Sequence, residues 1–247
     1  MPRVLCPLPD QDFDLTEIAV PWRLMRDAGC EVIFTTEQGQ TAATDPTLIS
    51  GVIFGQLGAL PEPIAYYREM QRDPAFLRPT PWADLDIEAF DGLWLAGGHA
   101  PGMRQVLGSA LLQKQVAAFW SLARPVAAIC HGVLVLARAN DPSTGSSLLH
   151  ARATTCLPKY MERIAYFLTA WKHGRRYRTY PEYVQDEVSR LGARVVRGPI
   201  SLVAKGSRND DKPAFIVEDG NYLSGRWPGD AYLLARRFVE QLRTYER

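Results

Sequence analysis

Val126-Ala127-Ala128-Ile129-Cys130-His131-Gly132-Val133-Leu134-Val135-Leu136-Ala137 is the stretch from which the fold is read. Pro125 opens an apolar run that fits a short buried strand, and the second run, rich in Leu, Val and Ala, fits a helix. A strand that turns directly into a helix through Cys-His-Gly predicts a nucleophile elbow with cysteine as the nucleophile. The tight turn lifts the side chain clear of the sheet, and Gly132 lets the chain pack closely behind it. The helix N-terminus adds free N–H groups and a partial positive charge, which favour a thiolate. A cysteine ending a buried strand also reads as a plain small hydrophobe. A second motif is needed.

That motif lies upstream, at Asp91-Gly92-Leu93-Trp94-Leu95-Ala96-Gly97-Gly98-His99-Ala100-Pro101-Gly102. It reads as another buried strand ending in a glycine pair. Glycines there permit positive φ and close backbone approach, so amides can point at a developing oxyanion. Alone, it reads first as a plain Gly-rich strand-to-helix turn. Together the two motifs place a thiol and a set of amides along one edge of one sheet, where open α/β sheets bind ligands.

Strand and helix signals alternate along the chain. Strands are expected at Arg3–Cys6, Glu31–Thr36, Gly92–Ala96, Pro125–Ile129, Arg194–Val196 and Ala214–Val217. Helices are expected at Leu15–Ala28, Gln105–Leu122 and Asp230–Leu242. This alternation predicts an α/β fold, a mostly parallel sheet sandwiched by helices, as one domain over residues 1–247. Two segments break the rhythm. Residues 41–86 are proline-rich around a helical run, Ile64–Gln71, and residues 157–192 are aromatic and helical. Both are expected to form a small cap or a subunit interface, the second as a lid over Cys130.

The 247 residues are 47% hydrophobic and 22% charged, enough for one α/β core with a small appendage. A net charge of +1 supplies no field to recruit nucleic acid or an anionic membrane. The basic run His173-Gly174-Arg175-Arg176-Tyr177-Arg178 reads as a solvated loop or subunit contact. No apolar run approaches the ~20 residues needed to span a bilayer. The N-terminus reaches an Asp too soon for a secretory signal. Cys6, Cys30, Cys130 and Cys156 lack disulfide or metal spacing, so a cytoplasmic location is expected. Four histidines argue against a dedicated zinc site, and no P-loop, dinucleotide fingerprint or Gly-x-Ser-x-Gly is present. No cofactor and no metal are expected.

The chain resembles the ThiJ/PfpI superfamily of class I glutamine-amidotransferase-like proteins. The matching pieces are Ala128-Ile129-Cys130-His131-Gly132, Leu95-Ala96-Gly97-Gly98-His99-Ala100-Pro101-Gly102, and the acid-bearing first helix, Asp14-Leu15-Thr16-Glu17-Ile18-Ala19-Val20-Pro21-Trp22, with Ala28-Gly29-Cys30-Glu31-Val32-Ile33-Phe34 after it. The likeness is nearest to the branch holding glyoxalase III enzymes and heat-inducible chaperones, since His follows the Cys and extra segments interrupt the core. It implies a flavodoxin-like fold and a homodimer.

For the site, the resemblance implies Cys130 as nucleophile and Glu17 as the acid against its sulfur. By spacing alone, Asp14-Leu15-Thr16-Glu17 is also a capping box, and both roles are compatible. Glu37, at the end of the second strand, is the competing acid and reads as a surface turn residue. His131 is expected to pair with the thiolate as general acid or base. Its main-chain N–H joins those of Gly98 and His99 in an oxyanion hole. The family's third acid, which orients that histidine, is best matched by Glu162, with Lys159 as the alternative alignment of the position that some relatives fill with Asp. Glu162 also reads as a helix-surface carboxylate paired with Arg163 or a nearby base. The glutaminase His-x-Glu pair is missing, because His150 and His173 are followed by Ala151-Arg152 and Gly174-Arg175.

The expected function is a cofactor-independent enzyme acting on a small α-oxoaldehyde such as methylglyoxal, as a glyoxalase III or a deglycase. The alternatives are a stress chaperone or redox sensor, whose Cys130 would be an exposed, low-pKa peroxide target, and a C–N hydrolase such as a peptidase or isonitrile hydratase.

Overall fold

The computed structural model describes residues 1–51, 58–201 and 205–245, so part of the first insertion, at 52–57, lies outside the described residues. The first half of the chain runs β1 (Arg3–Pro7), α1 (Leu15–Asp27), β2 (Glu31–Thr36), α2 (Pro61–Met70), β3 (Thr80–Pro81), β4 (Gly92–Leu95) and α3 (Ala110–Ser121). The elbow pair follows as β5 (Val126–Ile129) and α4 (Val133–Arg138), then α5 (Lys159–His173) and α6 (Val184–Arg190). The last elements are β6 (Ile216–Asp219), β7 (Tyr222–Gly225) and α7 (Ala231–Thr244). The seven strands form one sheet in the order β6-β7-β5-β4-β1-β2-β3, parallel except for the edge strand β6. This is the flavodoxin-like α/β architecture expected from the sequence.

Parallel strands covered on both faces read as unbroken apolar runs, and all four residues of β5 are fully buried. Register places the site. Leu95 of β4 pairs with Ala128 of β5, so the two chains leave the sheet at the same level and carry Gly97 and Cys130 out side by side. The α7 helix closes one face, with Phe238 edge-on to Trp94 at 5.6 Å between ring centroids.

Three expectations need correction. The helix expected over Gln105–Leu122 is two pieces, Arg104–Leu107 and α3, because Gly108 ends the first and Ser109 caps the second by accepting from Leu112 N–H. The strand expected at Ala214–Val217 lies at Ile216–Asp219, because it pairs antiparallel with β7, which sequence reading missed. The signal was present: Asp219-Gly220-Asn221 is turn chemistry, and Gly220 has φ +63°. The strand expected at Arg194–Val196 forms as Arg194–Val195 but pairs with Ala153–Thr154 in a separate two-stranded sheet. No helix among the described residues is long and apolar enough to cross a membrane.

Candidate active site

Asp14 caps α1, accepting from Thr16 N–H at 2.8 Å and Glu17 N–H at 3.1 Å. The reciprocal half of a capping box does not form. Asp14 N–H donates instead to Gly97 O at 2.9 Å, and the Glu17 side chain turns inward, where its Oε2 accepts from Gly97 N–H at 2.8 Å. Pro21 assists from within the helix. It lacks the N–H that would bond Glu17 O, and that carbonyl accepts from Trp94 Nε1 at 2.9 Å instead. The first helix is thus stitched to the end of β4 on both sides of Glu17.

Cys130 stands at the elbow with φ +59°, a conformation that costs energy for any residue with a side chain. Gly132 makes the turn possible: a Cβ there would lie 2.3 Å from Leu95 O. Gly97 is the meeting point of the site, since a Cβ on it would lie 2.6 Å from His131 N, 3.0 Å from Cys130 Cβ and 3.1 Å from Glu17 Oε2. Glu17 Oε1 is buried with no fixed donor among the described residues, and the carboxyl group interacts directly with the Cys130 side chain. The main-chain N–H of His131 is directed at the sulfur.

The sequence led to an exposed, ionised thiol, and the structure corrects this. Cys130 is 1% exposed and its pKa is pushed well up, by burial first and by the charges of Glu17 and Asp14 after it. The helix N-terminus and one N–H do not outweigh that desolvation. Burial, then Asp14, also pushes the Glu17 carboxyl well up. Two negative charges side by side in a dry niche are what both shifts oppose, so the pair retains a proton. Asp14 itself is pushed up to about 6, again by burial, against the pull of its N–H donors.

His131 is buried, with Nδ1 3.6 Å from Cys130 Sγ and Nε2 without a hydrogen-bond partner among the described residues. Burial drives its pKa well down, so the ring is neutral. Its neighbour is His99, edge-on at 4.8 Å between ring centroids and pushed down to about 4 by burial. Glu162 is hydrogen-bonded to partners other than His131. Its Oε1 accepts from Arg178 Nη1 at 2.8 Å and its Oε2 from Val184 N–H at 3.1 Å, which ties α5 to the segment entering α6. It is a buried clasp within the second insertion, pushed up to about 7 by burial. Lys159 pairs with Asp186, and Glu37 is exposed and accepts from Gln105.

A cavity of about 170 Å³ opens beside His99. Its walls are Leu157, Met161, Ile164, Ala165 and Tyr177 from the second insertion, Leu48 from the first, and Asp14, Lys205, Trp227 and Pro228. The insertions meet there, where Tyr177 O–H donates to Asp45 at 2.6 Å. Thr179 reaches down to bond the His99 carbonyl. A larger cavity, about 370 Å³, lies between Thr155, Lys159 and Arg197, away from Cys130. Its cysteine, Cys156, has its thiol pushed up by burial and then by Glu162, with no acid arranged as Glu17 is. Sequence reading missed Gly97 as a site residue, although the glycine pair signalled it. It also missed Asp14 and Lys205 as wall residues, which no local pattern marks, while Tyr177 comes from the insertion expected to cover the site.

Fold and site together define an α/β protein with a cysteine on a strand-to-helix elbow, backed by a buried carboxyl group. The chain belongs to the ThiJ/PfpI family-like proteins, whose family model matches residues 8–190. It is 29% identical over 237 residues to an uncharacterized protein of Schizosaccharomyces pombe, covering 93% of this chain and 79% of that one. It is 26% identical over 242 residues to a deglycase of Pyrococcus abyssi, covering 98% and 99%. Among solved structures, glyoxalase III from Candida albicans superposes with a TM-score of 0.69 at 20% identity, over 97% of both chains.

Proposed function

We propose that the protein is a cofactor-independent cysteine enzyme that converts small α-oxoaldehydes, methylglyoxal to lactate being the representative reaction, or releases the same group from early amine and thiol adducts. The observation that carries this reading is the Glu17–Cys130 pair, buried at Gly97 beneath a cavity of about 170 Å³ whose wall includes the neighbouring Asp14 and His99. That volume lies below the roughly 300–1,000 Å³ of drug-sized ligand sites and suits a three-carbon substrate. The deglycase relative from Pyrococcus abyssi, matched end to end, supports the same class.

The sulfur attacks the aldehyde carbon while protonated Glu17 gives its proton to the substrate oxygen and takes the thiol proton in exchange, giving a hemithioacetal. The amides of Gly98, His99 and His131 hold the oxyanion as the C–S bond forms. Neutral His131 then takes the C1 proton while Glu17 protonates the C2 carbonyl oxygen, and an enediol forms. Protonation at C2 leaves a thioester, with C1 oxidised and C2 reduced within one molecule. Water cleaves the thioester, frees lactate and restores the thiol. No external oxidant or reductant enters. Glu162, clasped to Arg178, takes no part in proton transfer here.

A covered thiol with a raised pKa weighs against the peroxide-sensor alternative, and the small cavity weighs against a peptide substrate. Incubation of purified protein with methylglyoxal, without glutathione, should yield lactate. Absence of lactate with methylglyoxal and with its amine adducts would sink the reading.

A further inference from the structure

We propose that His99, Cys130 and His131 form a binding site for a single soft divalent cation, Zn²⁺ in the first instance, reached through the cavity at His99, and that the bound ion holds the protein in an off state. One ligand atom from each of the three residues lies within 4.8 Å of the other two. Bond lengths of ~2.3 Å to sulfur and ~2.0–2.1 Å to nitrogen place tetrahedral ligand atoms about 3.3–3.7 Å apart. The Cys130 Sγ to His131 Nδ1 edge already measures 3.6 Å, so the remaining edges need to close by about 1.5 Å at most.

The histidine scarcity that spoke against zinc is met by the fold, which brings two distant histidines onto one thiol. Among the described residues Nε2 of His99 is buried without a hydrogen-bond partner, and His131 turns Nδ1, the nitrogen beside the sulfur, into the same niche. A buried polar atom left unpaired costs free energy that a ligand recovers. A thiolate and two imidazoles select a soft or borderline ion over Mg²⁺ or Ca²⁺, and three protein ligands leave a fourth position for water. The frame is fixed in advance. The elbow at φ +59° holds Cys130, and Thr179 anchors the His99 backbone.

Binding replaces the thiol proton: the S–H bond breaks, a Zn–S bond forms, and the proton leaves to solvent by way of Glu17. The sulfur lone pair that would attack a carbonyl is then committed to the metal. The off state is reversible on chelation, unlike oxidation.

The test uses the full chain, stripped with a chelator and titrated with Zn²⁺ against a chromogenic competitor, with Co²⁺ as a spectroscopic substitute. One zinc per chain is expected, along with a near-ultraviolet thiolate-to-cobalt band. X-ray absorption on the zinc form should show one sulfur in the first shell. His99→Gln and Cys130→Ser should each weaken uptake at least tenfold, and Cys130→Ser should remove the cobalt band. A first shell without sulfur, or uptake unchanged in both variants, would overturn the site. Should a variant fail to fold by circular dichroism, the sulfur shell and cobalt band of the unaltered protein still decide. Neither readout depends on aldehyde turnover, so inactivity toward methylglyoxal leaves the metal test standing.

Discussion

Gly97 carries the geometry of the site at the scale of single residues. Its N–H fixes Glu17, its carbonyl accepts from Asp14, and it has no side chain where Cys130, His131 and Glu17 converge. Gly97→Ala forces a methyl group into backbone and carboxyl atoms, so we expect a stability loss on the order of 1–3 kcal/mol in urea unfolding, together with loss of activity. Unchanged activity would mean that the convergence is not the working site. The residues that converge at Gly97 were legible because each sits in a motif with a mechanism. Glu17 was readable only in part, since a helix cap and a catalytic acid share one spacing; Asp14 takes the cap and leaves Glu17 free to turn inward. The protonation state was not legible. A helix N-terminus is visible in sequence, whereas the desolvation that outweighs it comes from long-range packing.

Among the elements, the strand-to-helix elbow and the first helix followed the sequence, while in the second insertion Glu162 pairs with Arg178. Glu162 and Arg178 are both well buried, at 1% and 11% side-chain exposure, so truncating one strands the other's charge. Glu162→Ala should cost about 3–5 kcal/mol and speed the reaction of Cys130 with a thiol reagent as the clasp over the cavity opens. No change in either would assign the carboxylate elsewhere. The split of the expected Gln105–Leu122 helix shows how local signals lose to amphipathic periodicity: Gly108-Ser109 is a stop and a cap inside a continuous apolar pattern. The missed β7 strand is the reverse case, a fully buried run of four residues too short to carry a period.

For the whole molecule, burying Asp14 and Glu17 together makes the fold sensitive to pH. Both acids hold protons more tightly folded than unfolded: Asp14 rises from an ordinary 3.8 to about 6, and Glu17 rises well above 4.5. A raised acid contributes stability below its unfolded pKa and loses it as pH rises toward the folded value. Urea unfolding of Glu17→Gln beside the unaltered protein should therefore give a stability difference that moves in favour of the variant as pH climbs from about 4.5 to 7. A constant gap, or one moving the other way, would mean that Glu17 is ionised in the folded state at neutral pH. The overall architecture was the most legible feature, because alternating strand and helix signals constrain topology even where boundaries slip by two residues.

The central claim is that Cys130 works by covalent attack with Glu17 as its proton partner. The initial rate of glutathione-free lactate formation from methylglyoxal, measured for the unaltered chain, Cys130→Ala and Glu17→Gln, tests it most directly. We expect Cys130→Ala to fall to the uncatalysed background and Glu17→Gln to lose about 10²–10⁴-fold. Lactate formed by Cys130→Ala at the unaltered rate would contradict the account.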